Sequence, residues 1–255
     1  MYQPIILSTH ESHIPFRAEG VWGDGFKSKI VFRFGETSTD TPDGYTSFNR
    51  RKMISRYSVD KRAQKARLDE AGIMTPLLLS GPPSSRPGET TSGAIMAKRI
   101  NHSHGIGMVK LEDLPQVMNN LRWILGTGWG SRYMFEVFER VDAEYRVHVV
   151  RDVIIHVDKK VPREEAEDVS EEVVCRNLDT HSFRTVGGML PWDMLHDCIV
   201  AVRTLGLDFG AVDVGLRDEG REHFVFEVNS APGMRQRVVD AYVKAFKQEW
   251  GEWEP

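Results

Sequence analysis

A carboxylate and an amide interrupt an apolar run near the C-terminus. In Phe224-Val225-Phe226-Glu227-Val228-Asn229 the pattern is that of a core strand, and Ser230-Ala231-Pro232-Gly233 ends it. Polar groups in such a strand cost free energy unless something binds them. Upstream, DFGAVDVGL (208–216) forms a second strand, and RDEGRE (217–222) carries the turn between the two. Alternation places Val212, Val214 and Leu216 on one face, with Ala211, Asp213 and Gly215 on the other. On the second strand Phe224, Phe226 and Val228 share a face, and Val225, Glu227 and Asn229 share the opposite one. A turn centred on Gly220 sets Asp213 across from Glu227 and Asn229 across from Ala211, and opposed residues project from the same face. Two carboxylates so placed repel each other. A divalent cation relieves that repulsion, and hard oxygen ligands suit Mg²⁺, which binds through one or two carboxylates plus substrate phosphates. Asp213, Glu227 and Asn229 are therefore candidate metal ligands. The plainer alternative is a wet hairpin face with scattered acids, and a one-residue register slip would dissolve the constellation.

Two further stretches carry polar chemistry. In MAKRINHSHGIGMV (96–109), Lys98 follows a strand of small and apolar residues, and Ser103, Gly105 and Gly107 follow in a short loop. Such a loop lets backbone N–H groups approach phosphate oxygens while the lysine supplies charge. It is not a Walker motif, and a glycine-containing turn after a strand is commonplace. His102 and His104 lack further metal ligands nearby and read as loop polar groups or phosphate-side donors. The segment 134–161 holds Glu136, Glu139, Glu144, Arg146, Lys159 and Lys160. Alternation puts Glu144, Arg146 and His148 on one face. A two-residue turn at Arg151-Asp152 pairs position 144 with 159, and one residue of slip pairs it with 160. A cross-strand ladder of ion pairs, worth little when exposed, is the plainer reading.

The elements that position these groups follow from periodicity and punctuation. SVDKRAQKARLDEAG (58–72) predicts a helix with Ser58 as N-cap, Gly72 just past its end, and Val59, Ala63 and Ala66 on one face. Its basic residues Lys61, Arg62, Lys65 and Arg67, like Arg50-Arg51-Lys52 before it, read as solvated. The stretches 74–79, 94–100, 133–139, 144–150 and 153–160 read as strands, the last two as a hairpin. Helices are expected over 111–125, over 191–206 with Trp192, Leu195, Ile199 and Val202 aligned, and over 235–250. SGPPSSRPGETTSG (80–93) is a loop, and 162–172 is an acidic helix or loop. Strands and helices mix without strict βαβ regularity, which predicts an α+β, two-lobed architecture.

The chain has 255 residues, 40% of them hydrophobic and 27% charged, with a net charge of −4. That is enough for a full core. It gives no basic excess of the kind nucleic-acid binders show. Two distant cysteines without a CxxC argue against a zinc or disulfide framework and for a reducing compartment, so the expected location is cytoplasmic. No stretch approaches the ~20 apolar residues of a membrane span.

Taken in order, these stretches resemble the ATP-grasp superfamily of carboxylate–amine ligases, from about residue 49 to 235. NRRKMISRYSVDKRAQKARLDEAGIMTP is similar to the family's lysine-containing helix and the turn after it. The resemblance implies that Lys98 contacts the α- and β-phosphates of ATP and that 102–108, with Ser103, Gly105 and Gly107, covers the triphosphate. MFEVFE is similar to the hinge between lobes, implying adenine binding by Glu136 and the backbone near Val137 and Phe138, although Glu139 could take the acid's place. Glu144 would hold the ribose. Arg146 matches an arginine of the glutamate-adding ligases, and Lys159 or Lys160 a second phosphate-facing base. CRNLD (175–179) places Arg176 and Asn177 near the transferred phosphate. Asp213, Glu227 and Asn229 match the family's metal-binding triad, and NSAPGM the segment that closes the site.

The implied fold is ATP-grasp: a shortened amino-terminal segment over 1–50, a first lobe over 51–137 and a second, metal-binding lobe over 138–255. The implied cofactors are ATP and Mg²⁺. The implied reaction joins a carboxylate to an amine through an acylphosphate, with Lys160, Arg176 and Asn177 as catalytic groups and 80–93 and 162–172 as candidate lids. An ATP-dependent kinase or a non-catalytic nucleotide-binding module are the alternatives. The implied partners are small-molecule or peptide substrates, with a second copy or a partner chain completing the pocket if the short segment does not.

Overall fold

The computed structural model describes residues 1–9, 11–18, 20–58, 60–79, 94–100, 109–111, 133–162, 181–187 and 189–250. The expected 80–93 loop, the acidic segment beyond Pro162 and the helix expected over 111–125, apart from Leu111, lie outside these residues.

Among the described residues, three sheets organise the fold. Strands β1 (Ile5–Ser8), β2 (Ile30–Phe34) and β3 (Thr46–Phe48) form a parallel sheet in that order. Strands β4 (Ile95–Arg99), β5 (Val109–Leu111) and β6 (Tyr133–Val137) form an antiparallel sheet in the order β5-β4-β6. Leu78 bridges to Glu136 on the outer side of β6, so the expected strand over 74–79 contributes a single rung. The largest sheet is antiparallel throughout, in the order β11-β10-β7-β8-β9. It comprises β7 (Ala143–Val150), β8 (Val153–Pro162), β9 (His181–Thr185), β10 (Phe209–Arg217) and β11 (Glu222–Asn229).

Helices α1 (Lys61–Glu70), α2 (Trp192–Thr204) and α3 (Gln236–Trp250) pack on these sheets. Asp60, not Ser58, caps α1: its carboxylate accepts the Arg62 and Ala63 amide hydrogens, at 2.9 and 3.2 Å. Ser58 instead ends a wider helical turn over Ile54–Ser58. The buried face of α1 carries Gln64, Lys65 and Leu68, not the expected alanines. On α2 the buried stripe is Met194, Cys198, Ala201 and Val202, while Trp192 is 69% exposed. Among the described residues no helix is long and apolar enough to cross a membrane.

Two cores result. One lies between α2 and one face of the large sheet, through Tyr145, Val147, Val149, Val212, Val214, Val225 and Val228, and takes in Leu68 of α1. The other is aromatic and joins the parallel sheet to α3, with Phe32 and Phe246 stacked at 4.0 Å. The large sheet thus buries an aliphatic face against α2, and its opposite face carries the polar groups.

Candidate functional site

The ribbon of β10 and β11 sets the site. Ala211 pairs with Asn229, Val212 with Val228 and Asp213 with Glu227, the register that alternation and the Gly220 turn predict. Beyond Asp213 the register shifts at a bulge, so Val214 pairs with Val225 and Gly215 with Phe224. This corrects the expected faces: Val225 joins Val228 in the core. The ring of the unpaired Phe226 covers Gly215, where an added Cβ would stand 2.7 Å from it. Beside the turn the pairing runs one residue off the register of a turn centred on Gly220, and the extra residue at the bulge, Phe226, makes up the difference, so the bulge itself brings Asp213 opposite Glu227.

On the neighbouring strand Arg146 pairs with Asp213 in register. Its Nε and Nη2 donate to the two carboxylate oxygens at 2.7 and 2.8 Å, a bidentate fork. Lys160 of β8 pairs with Glu144 and stands 3.4 Å from Asp213. Lys61 of α1 reaches Glu227 at 2.9 Å, and Asn229 donates to the other Glu227 oxygen at 3.0 Å. Burial alone would raise both the Asp213 and Glu227 carboxyls. Arg146 and Lys160 outweigh it at Asp213, and Lys61 at Glu227, so both lie below the ordinary carboxylate range. Glu227 holds Lys61 charged above its usual pKa, against the opposing effect of burial.

Lys159 does not join this cluster. A bulge between His148 and Val149 shifts the β7–β8 register, and Lys159 ends up opposite Tyr145. Its Nζ lies 5.9 Å from the Tyr145 ring, on the face that packs against α2. The phosphate-facing role expected of Lys159 therefore has no support in its placement. Lys160 is the lysine on the polar face, where Phe183 of β9 lies beneath both it and Arg146, at 6.0 and 4.6 Å.

A second cluster joins α1 to the β5-β4-β6 sheet. Glu136 is 1% exposed and pairs with Lys65 at 3.1 Å and with Lys98. Burial would raise its carboxyl, but the two ammonium groups hold it low. Lys65 is equally enclosed, and burial pulls its pKa down to about 8 despite Glu136. Glu136, expected to face adenine, here serves as counter-ion for the two lysines. The Val137 and Phe138 amides donate to Leu77 and Ala94 carbonyls, at 2.9 and 2.8 Å. Glu139 pairs with Arg217 at 2.9 Å. Ser103, Gly105, Gly107, Arg176 and Asn177 lie outside the described residues.

The basic face of α1 was expected to be solvated, and here the structure differs most. Lys61 and Lys65 are one helical turn apart, so they share a face, and that face points at Glu227 and Glu136. Their i, i+4 spacing was the available signal. What the sequence could not supply was acids on two distant strands.

The ribbon can hold a metal of the expected kind. Two carboxylates and an amide oxygen on one face are hard donors, as Mg²⁺ prefers. Among the described residues no group of three His, Cys, Asp or Glu is gathered for a metal, so the remaining ligands would be phosphate oxygens and water. Asp213, Glu227 and Glu144 are already balanced by Arg146, Lys61 and Lys160. A bare dication would upset that balance, whereas one arriving with a polyphosphate would largely preserve it.

These features define the ATP-grasp fold. The chain matches the ATP-grasp ligase PsnB in complex with a minimal precursor at a TM-score of 0.69, over 96% of this chain and 98% of that one, at 14% identity. It matches D-alanine–D-alanine ligase from Bacillus anthracis at 0.60, over 94% and 86% of the two chains, at 15% identity. L-amino acid ligase from Bacillus licheniformis follows at 0.59, over 94% and 69%, at 13% identity. No family model and no curated protein matches the sequence.

Proposed function

We propose that this chain is an ATP- and Mg²⁺-dependent ligase that joins a carboxylate to an amine. The observation that carries this reading is the β10–β11 ribbon. It presents Asp213, Glu227 and Asn229 on one face, with Lys61, Arg146 and Lys160 balancing the acids around them. The similar proteins support the same reading: they are ligases, and PsnB has been seen with a precursor peptide, Mg and ADP, and with AMPPNP. An amino acid or peptide is accordingly the proposed substrate class.

Asp213, Glu227 and Asn229 would hold Mg²⁺, which neutralises phosphate charge when bound. Lys98 from the other sheet and Lys65 from α1 would face the nucleotide, with Glu136 keeping their ammonium groups in place. Lys160 and Arg146, with Arg176 and Asn177, would offset charge on the transferring phosphoryl group. A substrate carboxylate oxygen attacks the γ-phosphorus, and ADP leaves. The amine nitrogen then attacks the acyl carbon, the carbon–oxygen bond to phosphate breaks, and the amine releases a proton. Such chemistry needs alignment and charge neutralisation rather than a protein nucleophile. Glu144 is proposed for the ribose and the 102–108 loop for covering the triphosphate.

The test is ADP release by the purified chain against pooled amino acids and peptides. Turnover that requires both an acid and an amine, and that disappears in Asp213→Asn, is the expected result. A stable phosphorylated product would instead identify a kinase, and nucleotide binding without turnover a module.

A further inference from the structure

We infer that Gln64 is a positioning residue for the β11 side of the site. The inference rests on the metal-binding role proposed above for Glu227 and Asn229.

β11 is an edge strand, so the backbone groups of every second residue face away from β10 and need partners when buried. Glu227 and Asn229 sit across from Asp213 and Ala211. Val228, between them, meets the side chain of Gln64 on the strand's outer side. The Val228 amide donates to Gln64 Oε1 at 2.8 Å, and Gln64 Nε2 donates to the Val228 carbonyl at 2.9 Å. One carboxamide thus imitates the rung that another strand would supply. Its second Nε2 hydrogen goes to the Tyr57 carbonyl at 2.9 Å, in the wide helical turn before α1. Gln64 is 3% exposed.

Few side chains could do this. Glutamate lacks the donors, lysine lacks the acceptor, and asparagine is a methylene short. The contact fixes the peptide units on both sides of Val228, and those units aim Glu227 and Asn229. The same helix carries Lys61 to Glu227, so α1 holds β11 by its backbone and by one of its carboxylates. Outer-shell partners of metal ligands are typically worth about 10- to 100-fold in metal affinity or activity.

The test is calorimetric titration of wild type and Gln64→Met with AMPPNP, once with excess Mg²⁺ and once with EDTA. Methionine keeps the volume and removes all three hydrogen bonds. Wild type should bind the analogue more tightly with Mg²⁺. Gln64→Met should lose about tenfold or more of that gain while its metal-free affinity stays within about twofold of wild type. An unchanged Mg²⁺ gain, or equal losses in both titrations, would overturn the positioning role while leaving the proposed function standing. A wild type that gains nothing from Mg²⁺ would overturn the underlying reading itself. Should Gln64→Met not fold, Gln64→Glu keeps an acceptor for the Val228 amide and is titrated in the same way, against the same outcomes.

Discussion

Arg146 and Asp213 stand opposite each other on adjacent strands, and the guanidinium grips both carboxylate oxygens. The pair is mostly buried, with side-chain exposures of 14% and 5%. Removing one member of a buried pair strands the other charge, at a cost of about 3–5 kcal/mol. Arg146→Met should approach the lower end, because Lys160 still stands near Asp213, and should abolish turnover. Asp213→Asn should abolish turnover at a smaller cost in stability, since the amide oxygen still accepts from Arg146. Urea unfolding alongside the ADP assay separates the two. Equal stabilities and full activity in both variants would remove this pair from the site.

Glu136 carries a sharper expectation because two ammonium groups depend on it. Glu136→Gln should destabilise the chain by on the order of 3 kcal/mol. The deficit should also depend on pH. The folded wild type holds the Lys65 proton until about pH 8, below the ordinary lysine range. Without the Glu136 charge the Lys65 pKa falls further, so the variant sheds that proton earlier. Between the two values the folded variant binds fewer protons than folded wild type, so its stability climbs with pH relative to wild type. The difference should be largest near pH 6 and narrow toward pH 8. A difference independent of pH would mean that Lys65 does not feel Glu136.

His148 sets an acid limit on the fold. It is buried on the polar face, where its Nδ1 lies 3.2 Å from the Tyr242 hydroxyl, which in turn donates to the Gly210 carbonyl. Burial, then the charges of Arg146 and His156, lower its pKa to about 3, with Asp158 and Asp213 partly opposing them. An unfolded chain takes up this proton near pH 6.5, and the folded one refuses it until about pH 3. Stability should therefore fall with acidification through that window, at about 1.4 kcal/mol per pH unit from this group. Asp158, held at about 2 against burial by His156 and Arg235, adds its own loss only below the ordinary aspartate range. His148→Gln keeps a donor for Tyr242 and cannot titrate. Its stability should vary less with pH between 6 and 4 than that of wild type, as read by denaturant unfolding at each pH.

The two strands and their polar face were legible through period-two alternation. The bulge was not, and it moved Val225 into the core; nothing local marks a bulge in a run of apolar residues. Helix α1 is legible in the sequence, but its buried face is not. The buried groups are Gln64 and Lys65, and their partners Val228 and Glu136 lie far along the chain. A polar residue is buried only where a distant strand satisfies it, and a local pattern cannot report that. Trp192 illustrates the converse. Its helical spacing predicts burial, yet α2 lies on the sheet through Met194, Cys198 and Ala201, so the large ring stays outside.

The two adjacent lysines of β8 give the cleanest functional contrast. Neighbouring residues of a strand point to opposite faces, and the bulge at His148 decides which lysine meets Asp213. Lys160 lies within 3.4 Å of Asp213 and pairs with Glu144, and these two acids raise its pKa against the effect of burial. It therefore carries its charge throughout the neutral range. Lys159 sits beside Tyr145 on the face toward α2. Lys160→Met should lower kcat by about 100-fold, within the range for losing one preorganised charge-stabilising group. Lys159→Met should stay within about twofold of wild type. The comparison is internal, since both variants lose one positive charge from the same strand and any general effect of net charge cancels. Equal losses would mean that β8 acts through its overall charge and that the register shift has no bearing on catalysis. A loss confined to Lys159 would mean that the strand pairs without the His148 bulge when substrate is bound.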